Sequence, residues 1–301
     1  MSPADQRGER AHPGDARARR IAGLGRVVLG AVATAVVVVV MTFLMLPIVA
    51  LITYQPVHDL IAGLGAKVAT DAIIVSLKTN LIAFVFMIGL GTPFAYIIAR
   101  HRFFGRSVVI TLVELPLVMP PAVAGLGLLV AFGRFGLLGH EFSVLGIDLA
   151  FAQSAVVIAI LFVASPFYLR GAIAAFEAVD PTLIDVAGTL GAGPVRRMLR
   201  VAVPLASGGL GAAAAVAFAR GVGEFGATIL FAGSLQGVTQ TLPLAVYALF
   251  DANLDQAIAI GVLLIVASAA ILLVSKLLIS SWISSTLTSP LRGDRSIFAR
   301  R

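Results

Sequence analysis

No cysteine occurs anywhere in the chain, which excludes disulfides, thiol nucleophiles and cysteine-ligated metals. Charge is nearly as scarce: Asp, Glu, Lys and Arg make up 12% of the 301 residues, against about a quarter in an ordinary soluble domain. The four histidines are scattered, and neither a His-Glu-x-x-His pair nor a Gly-x-Ser-x-Gly elbow is present, which argues against an intramembrane hydrolase. His140-Glu141 is an isolated pair on a short link and reads as a solvated turn. A Gly-x4-Gly-Lys-Ser/Thr phosphate loop is missing too, so the chain cannot be its own nucleotide motor. What fills the sequence instead is apolar: 59% of residues are hydrophobic and the mean hydropathy is +1.02. That composition suits lipid as the main solvent.

A bilayer core of about 30 Å takes about 20 apolar residues as a helix. Six stretches meet this length: 27–53, 72–99, 107–132, 149–176, 205–231 and 256–282. The second carries Lys78 and Asn80 near its start. The first follows a basic stretch, as a signal peptide would, but its apolar run is too long and no small-residue cleavage site follows it; it reads as an uncleaved span. The expected fold class is all-α, a polytopic membrane protein with six transmembrane helices.

Basic residues alternate in density between successive links. Seventeen of them fall in the amino-terminal segment, the link around Arg100, Arg102 and Arg106, the link and flank holding Arg170, Arg196, Arg197 and Arg200, and the carboxyl segment. Only Lys67 and Arg134 fall on the other side. The positive-inside rule then places both termini in the cytoplasm. Topology thereby explains the net charge of +7, and nucleic acid is not needed as a partner. Residues 1–26, rich in Arg, Gly, Pro and Ala, are expected to be a disordered tail. Residues 27–285 are expected to form one six-helix transmembrane domain among membrane lipids, and 286–301 a second cytoplasmic tail. The external links, 54–71 and 133–148, are too short for a ligand-binding domain, so solute capture falls to another protein or to a site within the spans.

The link 177–204 reads EAVDPTLIDVAGTLGAGPVRRMLRVAVP. Asp180-Pro181 is a helix start, with Asp as cap and Pro at the first helical position. Gly191 and Gly193-Pro194 end that helix, and a second begins at Pro194 and runs to Pro204 and the fifth span. Ala187, Gly188, Thr189 and Gly191 cluster at the turn, where small residues admit another protein's backbone. An interfacial hairpin that merely joins two spans has the same local signals. The spacing resembles the cytoplasmic signature of ABC importer permeases, Glu-Ala-Ala, three residues, Gly, nine residues, Ile-x-Leu-Pro. Asp185, Val186 and Ala187 take its first places, Gly191 the glycine, and Val201, Val203 and Pro204 the close. The resemblance implies a type I ABC importer permease fold and a coupling helix seated in a groove of a partner ATPase. ATP and Mg would then reside on that partner, with no cofactor on this chain and no catalytic or metal site in it.

Two further segments bear on the cargo. In 221–250, preceded by Arg220, the run is GVGEFGATILFAGSLQGVTQTLPLAVYALF; Arg220 and Glu224 are one helical turn apart and can pair. A buried charge in lipid needs such a partner, so a structural pair is the simpler reading of Glu224, and two negative groups repel, which disfavours its contact with an anion. In 114–139, ELPLVMPPAVAGLGLLVAFGRFGLLG, the prolines Pro116, Pro120 and Pro121 remove amide donors. Broken backbone at membrane depth either lines a pathway or marks a packing kink, and both readings stand. Glu114 is expected to pair with a nearby base, Lys78 to sit at the outer interface, and Lys276 at the inner one.

Together these runs are similar to the molybdate permease subfamily, and differ from the sulfate run around Gly-Glu-Phe/Tyr-Gly. The resemblance spans about 40–275 and implies a homodimer of this subunit, two ATPase copies and an extracytoplasmic molybdate-binding protein. An anion must leave as well as enter, so Pro120, Pro121, Glu224, Thr228, Ser234, Thr239 and Thr241 are the pathway or gate candidates. Tungstate or sulfate import by the same architecture is the nearest alternative. An ion-coupled secondary carrier, which commonly shows inverted repeats and a midplane relay, fits less well because neither feature is visible.

Overall fold

A computed structural model describes residues 13–287, with side chains described for 29–274, 276 and 277. Among the described residues the chain is helical throughout and has no strand. The segment up to Tyr54 is one compact unit and the chain from Gln55 onward another.

The first unit is a single helix, α1 (Pro13–Thr53). It begins at Pro13, so residues 13–26 of the expected disordered tail are helical; residues 1–12 lie outside the described residues. Its portion Leu29–Thr53 has a mean hydropathy of 3.0 and carries apolar residues on every face, the pattern of a lipid-embedded helix. Two of its hydroxyls bond back within the helix: Thr34 donates to Gly30 O at 2.9 Å and Thr53 to Val49 O at 2.8 Å. Lipid offers them no other partner.

The second unit is built from α2 (Val57–Gly65), α3 (Lys67–Arg100), α4 (Arg106–Val118), α5 (Pro121–Phe132), α6 (Gly139–Val144) and α7 (Gln153–Glu177). There follow α8 (Pro181–Thr189), α9 (Pro194–Arg197), a π-helical turn Met198–Ala202, and α10 (Val203–Val222). The last helices are α11 (Gly226–Phe231), α12 (Leu242–Leu249) and α13 (Leu254–Leu287). Residues 288–301, which include most of the expected carboxyl tail, lie outside the described residues.

Among the described residues five helices are long and apolar enough to cross a membrane, and the bent pair α4–α5 makes a sixth crossing if it counts as one span. The third stretch is therefore not the straight helix its length suggests: α4 and α5 meet at 114°. Pro120 and Pro121 are the cause. A residue before proline is pushed out of the α region, and Met119 (ψ 133°) and Pro120 (ψ 132°) are both extended. Pro116 stands inside α4 without breaking it. The fifth stretch also stops early, because α10 ends at Val222 and the backbone breaks before α11.

Helix α7 is the central post, packed against α3 on one side and α10 on another. Small residues set the α7–α10 distance. A Cβ on Gly171 would lie 2.5 Å from Ala213 Cβ, and one on Gly209 would lie 2.6 Å from Ala175 Cβ. The two helices thus face each other with small residues four apart, an arrangement that lets backbones approach where no hydrophobic effect drives association. Around them Ala159, Tyr168, Phe176 and Phe231 are fully buried, and Tyr168 hydroxyl shares a hydrogen bond with Thr92 of α3. A second, smaller core joins α3, α12 and α13 through Ala72, Leu242, Ala245 and Ile260.

Candidate functional site

The link between α7 and α10 is assembled by local chemistry at both ends. Asp180 caps α8 by accepting from Thr182 N at 2.9 Å. That amide, then the Thr182 hydroxyl, then nearby Arg100 hold the Asp180 carboxyl below its ordinary value of 3.8, against a small opposing effect of burial. At the other end Ala192 N donates to Ala187 O and Gly191 N to Gly188 O, both at 3.0 Å. This paired pattern is a Schellman close, and it needs a left-handed residue, which Gly191 supplies at φ +83°. Open space surrounds the position where a Gly191 side chain would point.

Beyond the turn, α9 starts at Pro194 and passes through the π-helical turn straight into α10, with Val203 N reaching back to Met198 O. The widened turn directly precedes Pro204, whose ring and missing amide do not fit a regular α-helical ladder. The link is thus welded to the fifth span as one rod from Pro194 to Val222, while Ile184 buries its other helix against the bundle.

The outward face of α8 differs from the small-residue knob that its spacing suggests. Asp185, Val186 and Thr189 are exposed, but Ala187 and Gly188 are half-buried. Gly188 lies beneath Arg197, whose Nη1 would stand 3.1 Å from a Cβ there. What the link presents is apolar: Leu183, Val186 and Leu190, the last 82% exposed, with Val195 and Leu199 beside them. Their i, i+3, i+7 spacing is visible in the sequence as one face of a helix, and reading the turn for small residues alone misses it. Val201 is half-buried within the π-helical turn, and Pro204 is exposed.

Deeper in the bundle the structure collects polar groups around the break after α10. Glu224 is 2% exposed. Its Oε1 accepts from Ala227 N at 2.8 Å, capping α11. Its Oε2 lies 2.8 Å from Arg220 Nη2, a charge contact made off the hydrogen-bonding direction. Thr228 and Thr241 are buried with hydroxyls that have no partner among the described residues. Thr239, also buried, accepts from Leu235 N at 3.0 Å, and Ser234 accepts from Gln240 Nε2 at 3.2 Å. Pro120 and Pro121 stand at the head of α5, where Gly226 packs so tightly that a Cβ on it would lie 2.5 Å from Pro121 Cβ. Gly125, one turn further along α5, meets Ala227 and Leu230 in the same way, so α5 and α11 pack side by side, and the candidates at the heads of these two helices belong to one region.

Three residues join that region without a sequence argument having singled them out as site residues. Ser76, Thr79 and Asn80 form a buried polar face on α3, and Ser76 Oγ accepts from Leu242 N at 2.7 Å. Their 76, 79, 80 spacing in an apolar helix is the signal that marks them. Of the remaining ionisable groups, Glu114 lies 3.5 Å from Arg170, and Lys78 and Lys276 are exposed. His140 and Glu141 are exposed on α6. Among the described residues no group of acids and histidines is placed to hold a metal.

Within the second unit, then, a link with an exposed apolar face runs directly into a membrane-length helix, beside two helices with broken backbone. The chain belongs to the family of binding-protein-dependent transport system inner membrane components, whose model matches residues 91–284 and so includes the whole link. As a member it is a permease and not itself an enzyme. It is 43% identical over 204 residues to the molybdenum transport system permease protein ModB of Mycobacterium bovis, covering 67% of this chain and 76% of that one. The Escherichia coli K12 protein of the same name is 37% identical over 215 residues, 71% of this chain and 93% of that one. Among solved structures, a bacterial ABC transporter that imports the acidic polysaccharide alginate superposes with a TM-score of 0.65 at 18% identity, over 87% of this chain and 99% of that chain. That likeness is one of fold.

Proposed function

We propose that the chain is the membrane-spanning permease subunit of an ATP-driven importer of molybdate. The observation that carries this reading is the link 177–204: a capped, Gly-closed helix with exposed Leu183, Val186 and Leu190, joined by a tight turn to a second helical segment that runs straight into the fifth span. Such a peg fits a groove on a partner ATPase. Closure of an ATPase dimer would push α8, and the rod from Pro194 to Val222 would carry the motion to the break at Gly223 as a rigid-body displacement. ATP binding must favour one permease conformation for this to perform work. In this reading Asp185, Val186, Ala187, Gly188, Thr189, Gly191, Val201 and Pro204 belong to the coupling element.

The arginine-rich links face the cytoplasm, as do both termini. Two copies of this chain pair around the pathway, two ATPases hold ATP and Mg, and an extracytoplasmic binding protein delivers the anion. Glu224 acts as a cap and ion-pair partner beside the path, and Thr228 and Thr241 offer hydroxyls to it. The molybdenum assignment follows the relatives' names and the runs in 114–139 and 221–250.

Reconstitution in proteoliposomes with the partner ATPase and binding protein tests the reading. Molybdate, loaded on the binding protein, should stimulate ATP hydrolysis and its own uptake more than sulfate does. Stimulation by sulfate alone would refute the cargo, and uptake driven by a proton gradient without ATP would refute the class.

A further inference from the structure

Beside the link lies a cavity of about 540 Å³ that the coupling role does not use. Arg100, Arg102 and Arg106 line it, with Phe103, Glu177 and Pro181. It sits where α3 and α7 end and α4 and α8 begin, at the polar boundary of the helical bundle. Arg106 is committed: its Nε donates to Ile98 O at 2.8 Å and its Nη2 pairs with Glu177. Arg100 is different. Its Nε and Nη2 are shielded from solvent and have no hydrogen-bond partner among the described residues; Asp180 is near enough to feel its charge. Arg102 is exposed and has no ion-pair partner among the described residues. Three arginines thus line the cavity with a single carboxylate, Glu177, and Asp180 stands just outside it.

Shielded donors on a charged group are costly to leave unmade. The fork of a guanidinium matches phosphate oxygens, which accept from two N–H groups at once. A second observation points to the source of that phosphate. Phe104, in the turn next to the lining residue Phe103, is wholly exposed, and Val108, Leu112 and Leu115 follow it along α4 at helical spacing, all exposed. An aromatic residue at the boundary followed by an apolar stripe is what an acyl chain meets below its headgroup. We propose that this cavity binds the phosphate of an anionic phospholipid, held by Arg100 and Arg102, with the acyl chains along the outer face of α4. Basic pockets between membrane helices favour such headgroups over zwitterionic ones, because no ammonium is brought against the arginines. Bound there, the lipid ties the α3–α4 turn to the first residues of α8. The inference rests on the chain spanning a bilayer and is independent of the cargo.

The test uses the delipidated full-length permease in neutral detergent, with phosphatidylglycerol, phosphatidylcholine and inorganic phosphate as probes. Saturating phosphatidylglycerol should raise Tm by about 5 °C, and native mass spectrometry should show it retained. Phosphatidylcholine and inorganic phosphate should leave Tm unchanged. The Arg100→Gln/Arg102→Gln variant should lose most of the rise, whereas Arg196→Gln, an exposed arginine on the same link outside the cavity, should keep it. Should the double variant fail to fold, Arg102→Gln alone, altering an exposed side chain, should still lose at least half. Equal shifts by both lipids, or an undiminished rise in Arg102→Gln and the double variant, would overturn the site. A full rise with inorganic phosphate alone would assign it to the free anion and overturn the lipid.

Discussion

Gly191→Val perturbs the link at the one backbone position that a side chain strains and nothing crowds. At φ +83° an L-residue meets its own carbonyl at a cost of roughly 1–2 kcal/mol, and β-branching adds to it. Space around the position is open, so no packing is lost and the bundle should melt at the wild-type temperature. The strain is relieved only by undoing the paired bonds from Ala192 and Gly191 that close α8. A penalty of about 1–2 kcal/mol lowers the population of the closed peg relative to the opened one by about 5–30-fold. Where the closed form predominates only modestly, coupling falls nearly in proportion. Substrate-stimulated ATP hydrolysis and uptake should therefore drop together in proteoliposomes, while the permease alone keeps its Tm. Gly191→Asn should retain most activity, since asparagine tolerates the left-handed region. Wild-type coupling in Gly191→Val, or equal loss in the Asn and Val variants, would refute the reasoning.

Glu224→Ala should destabilise the permease by about 3 kcal/mol, because it leaves Ala227 N without its acceptor and Arg220 without its counter-charge; Glu224→Gln, which still caps α11, should cost less, as denaturant titration in detergent would show. Gly171→Val should force α7 from α10 and cost about 2–3 kcal/mol, whereas Gly211→Val, in open space, should be near neutral in the same assay. The Asp180 carboxyl titrates below 3.8 in the folded chain, so its contribution is complete above that value and is lost as pH falls through the lower, folded value. Hydrogen exchange should show Thr182 amide protection weakening there in the wild type and staying constant in Asp180→Asn.

Much of the link was legible because its determinants are neighbours in the chain. Asp180 reaches an amide two residues on, and Gly191 closes bonds to residues at most five apart, so a short window contains all the physics. The outward face of α8 was legible in principle, from Leu183, Val186 and Leu190. Which face turns outward, though, is settled by Ile184 against the bundle and by Arg197 over Gly188.

The sequence by itself determined where apolar stretches are long enough to cross a bilayer, that Pro120-Pro121 must break one of them, and how the link begins and ends. Each follows from composition or from sterics within a few residues. Only the tertiary structure decided that the break is a 114° bend whose second helix packs alongside α11, that Glu224 caps a helix as well as facing Arg220, and that Ser76 holds an amide 166 positions away. Those outcomes depend on which helices are brought together, and small residues such as Gly171, Gly209 and Gly226 fix that by how closely backbones can approach, a property of two surfaces at once.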